Sequence, residues 1–205
     1  MTNPYEYVDT LTPALGREIQ LILSNASLRV CSFDEVNQAS VRGVVSLSFA
    51  HIFSRLSSKL RKVIRNTYKS FGIVLTKEEL DARLAALLSK YDPVMGYQLK
   101  KEVPRKRDRM IEAILARPGK QDIRRSIAGQ TPYILLMANQ FMDTAVDDSR
   151  QDAMEREGVE KVMWISEGDN RVCPVCKERD HRIYSINQVP DKPHPRCRFW
   201  TEPVR

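Results

Sequence analysis

The sequence lacks any apolar segment long enough to cross a membrane. Its longest uninterrupted apolar run is the six residues 133–138, whereas a membrane-spanning helix needs about 20. The first ten residues include Glu6 and Asp9 but no basic residue, which argues against a secretory signal. We therefore expect a protein that folds in the cytoplasm and has no membrane partner.

Glycine and recognisable catalytic motifs are also scarce. The 205 residues include 8 glycines and 11 prolines, which excludes collagen-like and low-complexity chains. There is no glycine-rich phosphate loop, no G-x-S-x-G motif and no H-E-x-x-H motif. Asp147 and Asp148 are a conceivable carboxylate pair, but adjacent acids on a polar helix are expected to form a solvated face. The sequence thus predicts a protein that is not an enzyme and has no small-molecule substrate.

Apolar residues recur at helical spacing through the first 157 residues, which predicts a largely helical segment. Gly72 and Gly158 are expected to end helices, because glycine readily adopts the left-handed conformation that follows a helix. The predicted start signals are capping boxes at residues 32–35 and 76–79, threonine–proline pairs at residues 12–13 and 131–132, and Pro104.

The amino-acid composition of the chain changes after Gly158. No glycine follows Gly168, while five of the 11 prolines do. Short segments at residues 159–166, 182–186 and 198–201 have the composition of strands. We therefore predict a mainly α protein. An elongated helical body occupies residues 1–157, and a small β-containing C-terminal tail occupies residues 158–205.

The tail contains a cysteine and histidine pattern that is typical of structural zinc sites. Cys173 and Cys176 form a C-x2-C pair, and His194 and Cys197 form an H-x2-C pair that follows after 17 intervening residues. Structural Zn²⁺ is commonly bound in a tetrahedron by two such pairs, and cytoplasmic thiols stay reduced. The alternative is a set of buried thiols without metal. We predict one structural Zn²⁺ bound by all four residues, with Cys31 apart from the site as a small apolar residue.

Residues 55–69 form a basic segment without any acidic residue. The chain has a formal net charge of +7, and residues 55–69 contain six basic residues and no acidic one. This pattern predicts an amphipathic helix whose cationic face is a candidate nucleic-acid-binding surface. Alternatively, the acidic residues of 141–160 neutralise that face within the fold. The candidate basic residues are Arg55, Lys59, Arg61, Lys62, Arg65 and Lys69.

A second interpretation of the tail is a metal-dependent nuclease of the His-Asn-His type. His181, Asn187 and His194 occur in the required order after the C-x2-C pair. The intervals between them are short for the hairpin and helix that such a site needs, and His194 would have to leave the zinc ligands. The alternative function is therefore a cytoplasmic zinc-binding nucleic-acid protein, either such a nuclease or a regulator. Otherwise His181 is expected to be exposed.

Three ordered motifs carry a resemblance to a known family. A long helix ending at Gly158 leads to a strand containing Trp164, a D-x-R-x-C-x-x-C segment follows at residues 169–176, and H-P-x-C-R closes the pattern at residues 194–198. With these motifs, residues 127–203 resemble the phage Mu F-like minor head proteins, also called phage head morphogenesis proteins. The N-terminal segment resembles the family only in being helical.

The resemblance implies a structural role without catalysis. It implies a low-copy minor capsid protein that acts in head assembly, near the portal or the inner capsid surface of a tailed phage, and that remains in the virion. Its expected partners are the portal protein, the major capsid protein or both, with packaged DNA as a further candidate. Phe199 stands where the family usually has another cysteine, and the four predicted zinc ligands are complete without it.

Overall fold

The computed structural model describes residues 3–168, 172–195, 197 and 199–204. In these residues the chain forms six α-helices and five short strands. The helices are α1 (Glu6–Cys31), α2 (Gln38–Ser70), α3 (Lys77–Ser89), α4 (Leu99–Ala116), α5 (Lys120–Arg156) and α6 (Pro174–Arg179). The strands are β1 (Tyr91–Asp92), β2 (Tyr97–Gln98), β3 (Lys161–Ser166), β4 (Ile183–Ser185) and β5 (Phe199–Pro203).

Helix α2 lies at the centre of the helical body, where α1, α3, α4 and α5 all pack against it. Its side chains at Leu56, Leu60 and Ile64 are at most 2% exposed, and this four-residue spacing places them on one face. Matching buried residues on α1 and α5, such as Ile19 and Phe141, complete the core. Among the helices of the described residues, none is both long and apolar enough to span a membrane.

Several of the predicted helix boundaries are confirmed. Thr76 Oγ1 accepts a hydrogen bond from the Glu79 N–H at 3.1 Å, and the Glu79 carboxylate accepts one from the Thr76 N–H at 2.9 Å, so the capping box opens α3. Gly72 and Gly158 follow α2 and α5 with φ of 74° and 75°, the left-handed conformation expected after a helix end.

The capping box predicted at residues 32–35 is wrong. Helix α2 begins at Gln38, after Asn37, whose side-chain oxygen accepts a hydrogen bond from the Ser40 N–H at 3.0 Å. The Ser32 hydroxyl instead donates to the Arg29 carbonyl at 2.8 Å and so belongs to the end of α1. Because α1 continues to Cys31, Ser32 is the C-cap of α1, and Asn37 is left to cap the N-terminus of α2.

The three proline start signals are also wrong, because Pro13, Pro104 and Pro132 all lie inside helices. Helix α5 is continuous from Lys120 to Arg156, although a new helix was expected to start at residues 131–132. Proline inside a helix costs about 3 kcal/mol. Buried residues on both sides of each proline offset this cost, as Ile127 and Ile134 do around Pro132.

The tail forms a three-stranded antiparallel sheet in the order β4–β3–β5, which confirms the prediction of a mainly α protein with a small β-containing tail. Alternate residues of a strand face opposite sides of the sheet. Ile165 and Trp200, which are paired across β3 and β5, join the core of the helical body. Trp164 and Phe199 instead form a separate small core with the tail cysteines.

Candidate metal centre

Three cysteines from two parts of the tail meet in the small core that contains Trp164 and Phe199. Cys173 caps the N-terminus of α6, with Pro174 at the first helical position, and its sulfur accepts a hydrogen bond from the Cys176 N–H at 3.4 Å. Cys197 precedes β5. Cys176 and Cys197 are 1% and 5% exposed. The ligand atoms of the three residues all lie within 4.8 Å of one another, so this group can hold a metal ion.

The sulfur positions fit a metal site better than a disulfide. Cys176 Sγ and Cys197 Sγ are 3.4 Å apart, whereas a disulfide bond is about 2.05 Å long. In a tetrahedron with zinc–sulfur bonds of about 2.3 Å, neighbouring sulfurs are about 3.8 Å apart. All four cysteines of the chain are free, and Cys31 lies at the end of α1, where its Sγ is 3.6 Å from the Lys120 carbonyl oxygen.

His194 lies beside the three cysteines. Its Nε2 is 3.7 Å from Cys197 Sγ, and its Nδ1 is 2.9 Å from the Pro195 carbonyl oxygen. A metal-binding histidine commonly donates its second ring N–H to such a carbonyl, which leaves the other nitrogen free for the metal. The Pro195 carbonyl, together with a hydrogen bond to Cys173, raises the pKa of His194. The role of His194 as fourth ligand stays a prediction.

The three thiols differ in acidity. Burial opposes ionisation of Cys173, but hydrogen bonds from the Cys176 backbone and from neighbouring side chains lower the pKa of Cys173 to about 7. Burial raises the pKa of Cys176 and of Cys197. A metal ion binds the thiolate form and would displace the protons of the two buried cysteines.

Aromatic and polar contacts tie this centre to β3. The ring of Phe199 stacks on Trp164 with centroids 3.4 Å apart and an interplanar angle of 8°. The Ser166 hydroxyl donates to the Cys176 carbonyl at 2.9 Å, and the Asp180 carboxylate accepts from the Ser166 N–H at 2.7 Å. Helix α6 is therefore bound to the central strand β3 through Cys176 within the helix and through Asp180 at its C-terminal end. Asp169, Asn170, Arg171, Arg196 and Arg198 of the sequence motifs lie outside the described residues.

The residues of the nuclease interpretation do not meet in one contact network within the described part of the chain. The His181 side chain is 71% exposed and lies 3.0 Å from Asp180, as expected from the sequence. Asn187 is exposed on a 3₁₀ turn (Ile186–Gln188). His194 contacts Cys197 instead. The short intervals between these residues hold one three-residue strand and this turn.

The six basic residues of the cationic helix face separate into two groups. Arg55 and Lys59 pair with Glu18 of α1, at 3.7 and 3.2 Å, and Arg61 pairs with Asp81 of α3 at 2.7 Å. The other three are exposed and make no ion pair with a described residue. This second group, the free basic stripe, consists of Lys62, Arg65 and Lys69.

The acidic residues of 141–160 do not neutralise this face by ion pairs within the described residues. Asp148 pairs with Lys90 at 2.6 Å, and Asp152 pairs with Arg83 at 2.7 Å. Burial raises the pKa of Asp148. The expectation of a solvated face at Asp147 and Asp148 is therefore wrong, because both acids lie against other parts of the fold.

Asp147 binds the tail through a buried lysine that the sequence analysis missed. Lys192 Nζ lies 2.7 Å from Asp147 Oδ2, and the Lys192 side chain is only 7% exposed. The Tyr5 hydroxyl donates to the other oxygen of Asp147. Burial disfavours the ammonium, but the Asp147 carboxylate and its neighbours raise the pKa of Lys192 well above its usual value. These three residues come from α5, the tail and the start of α1, so no local sequence spacing could have indicated the contact.

Arg150 makes a second connection between the helical body and the tail. Its Nη2 donates to the Thr201 carbonyl at 2.8 Å and lies 3.5 Å from the Glu202 carboxylate. Its guanidinium carbon lies 5.3 Å from the centroid of the Phe71 ring, within the range of a cation–π contact. Helix α5 thus holds both β5 and the loop before it.

Comparison of the chain with protein-family models, with curated proteins and with solved structures finds no match.

Proposed function

We propose that the chain is a structural minor capsid protein of a tailed phage, of the head morphogenesis type. It acts in head assembly near the portal or the inner capsid surface, and its tail is held by one structural Zn²⁺. The observation that carries the proposal is the convergence of Cys173, Cys176 and Cys197 beside His194. These four residues belong to the ordered motifs that resemble the Mu F-like minor head proteins.

Zinc is the metal that best suits the donors. Three thiolates and one imidazole are a common ligand set for structural Zn²⁺, which has no redox chemistry of its own. Ligand sets of oxygen atoms, which magnesium and calcium prefer, are absent from the cysteine group. The four residues would complete the coordination and leave no open position for a catalytic water, which supports a structural role.

The nuclease alternative has less support. It needs His181 and His194 in one active site, but the Nε2 atom of His194 lies next to Cys197 and the His181 side chain points into solvent beside Asp180. A regulator that binds nucleic acid through its tail would need a basic surface there. In the described part of the tail, Lys161 and Lys177 are exposed, but Lys192 is buried against Asp147 and Arg182 is paired with Glu178.

The test of the structural role is quantitative mass spectrometry of purified particles from the phage that encodes this chain. We expect the protein to copurify with heads at a fixed low ratio to the portal protein, and to show no nuclease activity when free. Absence from the particles, together with cleavage of DNA by the free protein, would contradict the proposal and favour the nuclease.

Packaged DNA is a further proposed partner, and the free basic stripe is the surface that would contact it. Changing Lys62, Arg65 and Lys69 together to glutamine should weaken binding to duplex DNA. The negative slope of log affinity against log salt should become less steep by about 3. The matched control changes Arg55, Lys59 and Arg61 to glutamine. It removes the same charge from residues that already pair with Glu18 or Asp81.

The control variant should have the smaller effect on DNA binding. Equal effects of the two triple variants would contradict the role of the free basic stripe. Absence of binding by the wild-type protein at about 50 mM salt would exclude DNA as a direct partner. The structural role would then rest on protein partners alone.

A further inference from the structure

We propose that Lys192 couples the metal centre to the helical body, so that the loop carrying Lys192, His194 and Cys197 acts as a metal-dependent strap. When the metal fixes this loop, Lys192 docks on Asp147 and holds the start of α1. When the metal is removed, the lysine leaves and the start of α1 is released. This inference rests on the proposed metal site and goes beyond it, because it assigns a role to residues that are not ligands.

The docking contact is built as a buried ion pair. The Lys192 ammonium lies 2.7 Å from Asp147 Oδ2 and 4.7 Å from the centroid of the Tyr5 ring, and 7% of its side chain is exposed. A buried ammonium is unfavourable unless a carboxylate compensates it. The lysine can therefore occupy this position only when the loop that carries it is seated against Asp147.

The same loop carries two of the proposed metal ligands. Lys192 precedes His194 by two residues, and Phe199 follows Cys197 by two residues. Lys192 Nζ lies 5.7 Å from the Phe199 ring, which stacks on the fully buried Trp164. Binding of a metal by His194 and Cys197 would thus fix the position of the backbone near Lys192. Loss of the metal would leave both Lys192 and the Phe199 ring less firmly held.

On the helical body, the same contact includes Tyr5, the residue that precedes α1. Asp147 accepts a hydrogen bond from the Tyr5 hydroxyl through one carboxylate oxygen and pairs with Lys192 through the other. Tyr5 directly precedes α1 and is 8% exposed, and Val8 in the first turns of α1 is 2% exposed. The seated lysine therefore lies against the residue that precedes α1, and its release would loosen that segment.

The test compares Lys192→Met with the matched control Lys161→Met in the zinc-loaded full-length protein. Methionine keeps an unbranched side chain but removes the charge, and Lys161 is an exposed lysine on β3 of the same tail. Hydrogen exchange measured by mass spectrometry would report on residues 5–12 and on β3 separately. Release of zinc to a chromogenic chelator would be followed in parallel.

We expect Lys192→Met to retain one zinc and the protection of β3, while residues 5–12 exchange faster. Zinc release should accelerate about tenfold, which corresponds to roughly 1.4 kcal/mol. Lys161→Met should match the wild type in each measurement. Treating the wild type with a chelator should expose residues 5–12 as well as the tail.

Unchanged exchange of residues 5–12 in Lys192→Met would overturn the inference, even with zinc present. If this variant loses zinc or unfolds its tail, the same measurements are made on Asp147→Asn. Asp147 lies on α5, so this substitution removes the charge of the ion-pair partner without changing the tail itself. Faster exchange at residues 5–12 and faster zinc release in Asp147→Asn would support the coupling, and wild-type behaviour would overturn it. A wild-type protein that binds no zinc would contradict the proposed metal site itself, which is a distinguishable failure.

Discussion

Replacing Cys197 with serine is expected to unfold the tail while the helical body stays folded. Cys197 is 5% exposed, and its sulfur lies 3.4 Å from Cys176 Sγ and 3.7 Å from His194 Nε2. The substitution removes one of four proposed ligands, and a serine hydroxyl is a poor substitute for a thiolate. A complete structural zinc site contributes roughly 10–16 kcal/mol of apparent free energy to folding in small zinc-binding units.

The small core around the cysteines cannot replace that contribution. The large buried apolar side chains of this core are Trp164, Val172 and Phe199. Burial of each contributes about 1.5–3 kcal/mol, so the three together give about 5–9 kcal/mol, less than the metal. The helical body, in contrast, has buried apolar stripes on five helices and loses only part of its cover, such as that from Ile165 and Trp200. We expect its thermal midpoint to fall without loss of cooperativity.

Hydrogen exchange with mass spectrometry provides the assay, and Cys31→Ser is the matched control. Cys31 is buried at 7% exposure but lies at the end of α1, apart from the other cysteines. Amides of β3 and β5 should lose protection in Cys197→Ser and keep it in Cys31→Ser, while α2 stays protected in both. Wild-type protection of β3 and β5 in Cys197→Ser would refute the reasoning, because the tail would then fold without its metal.

Three further variants test separate parts of the account. His181→Ala should leave zinc content unchanged and stability within about 0.5 kcal/mol, because exposed positions tolerate substitution; loss of function with normal zinc content would instead favour the nuclease. Thr76→Ala should lower the free energy of unfolding by about 1 kcal/mol in urea denaturation, since it removes the cap of α3. Asp92→Ala should cost about 3 kcal/mol or more in the same assay. The buried Asp92 carboxylate accepts hydrogen bonds from two backbone N–H groups and from Gln140 and Thr144, and a loss below about 1 kcal/mol would contradict this.

The parts of the fold that depend on local chemistry could be predicted from the sequence. The capping box at Thr76 and the left-handed glycines after α2 and α5 act within one helical turn, and they lie where expected. The prolines were wrong as start signals because the local preference of proline for the first turn of a helix competes with the burial of apolar residues along the whole helix. At Pro132 the apolar stripe of α5 continues on both sides, and packing against α1 and α2 outweighs the local preference.

The candidate site also contains one part that the sequence could predict and one contact that it could not. The spacing of Cys173, Cys176 and Cys197 was enough to predict that they meet, because two closely spaced ligand pairs are the pattern of structural zinc sites. The contact between Lys192 and Asp147 joins residues 45 positions apart in the sequence and depends on how the sheet seats on α5. Periodicity assigned Asp147 to a solvated face because it describes one helix and cannot include a partner from another element.

Elemental analysis of the purified protein, combined with thiol titration, tests the central claim most directly. Protein expressed and purified without added metal should contain one zinc per chain. Three thiols should become reactive only after a chelator removes the metal, because Cys173, Cys176 and Cys197 are its ligands, while Cys31 responds independently of the chelator. A zinc content near zero, with the tail thiols equally reactive before and after chelation, would contradict the account.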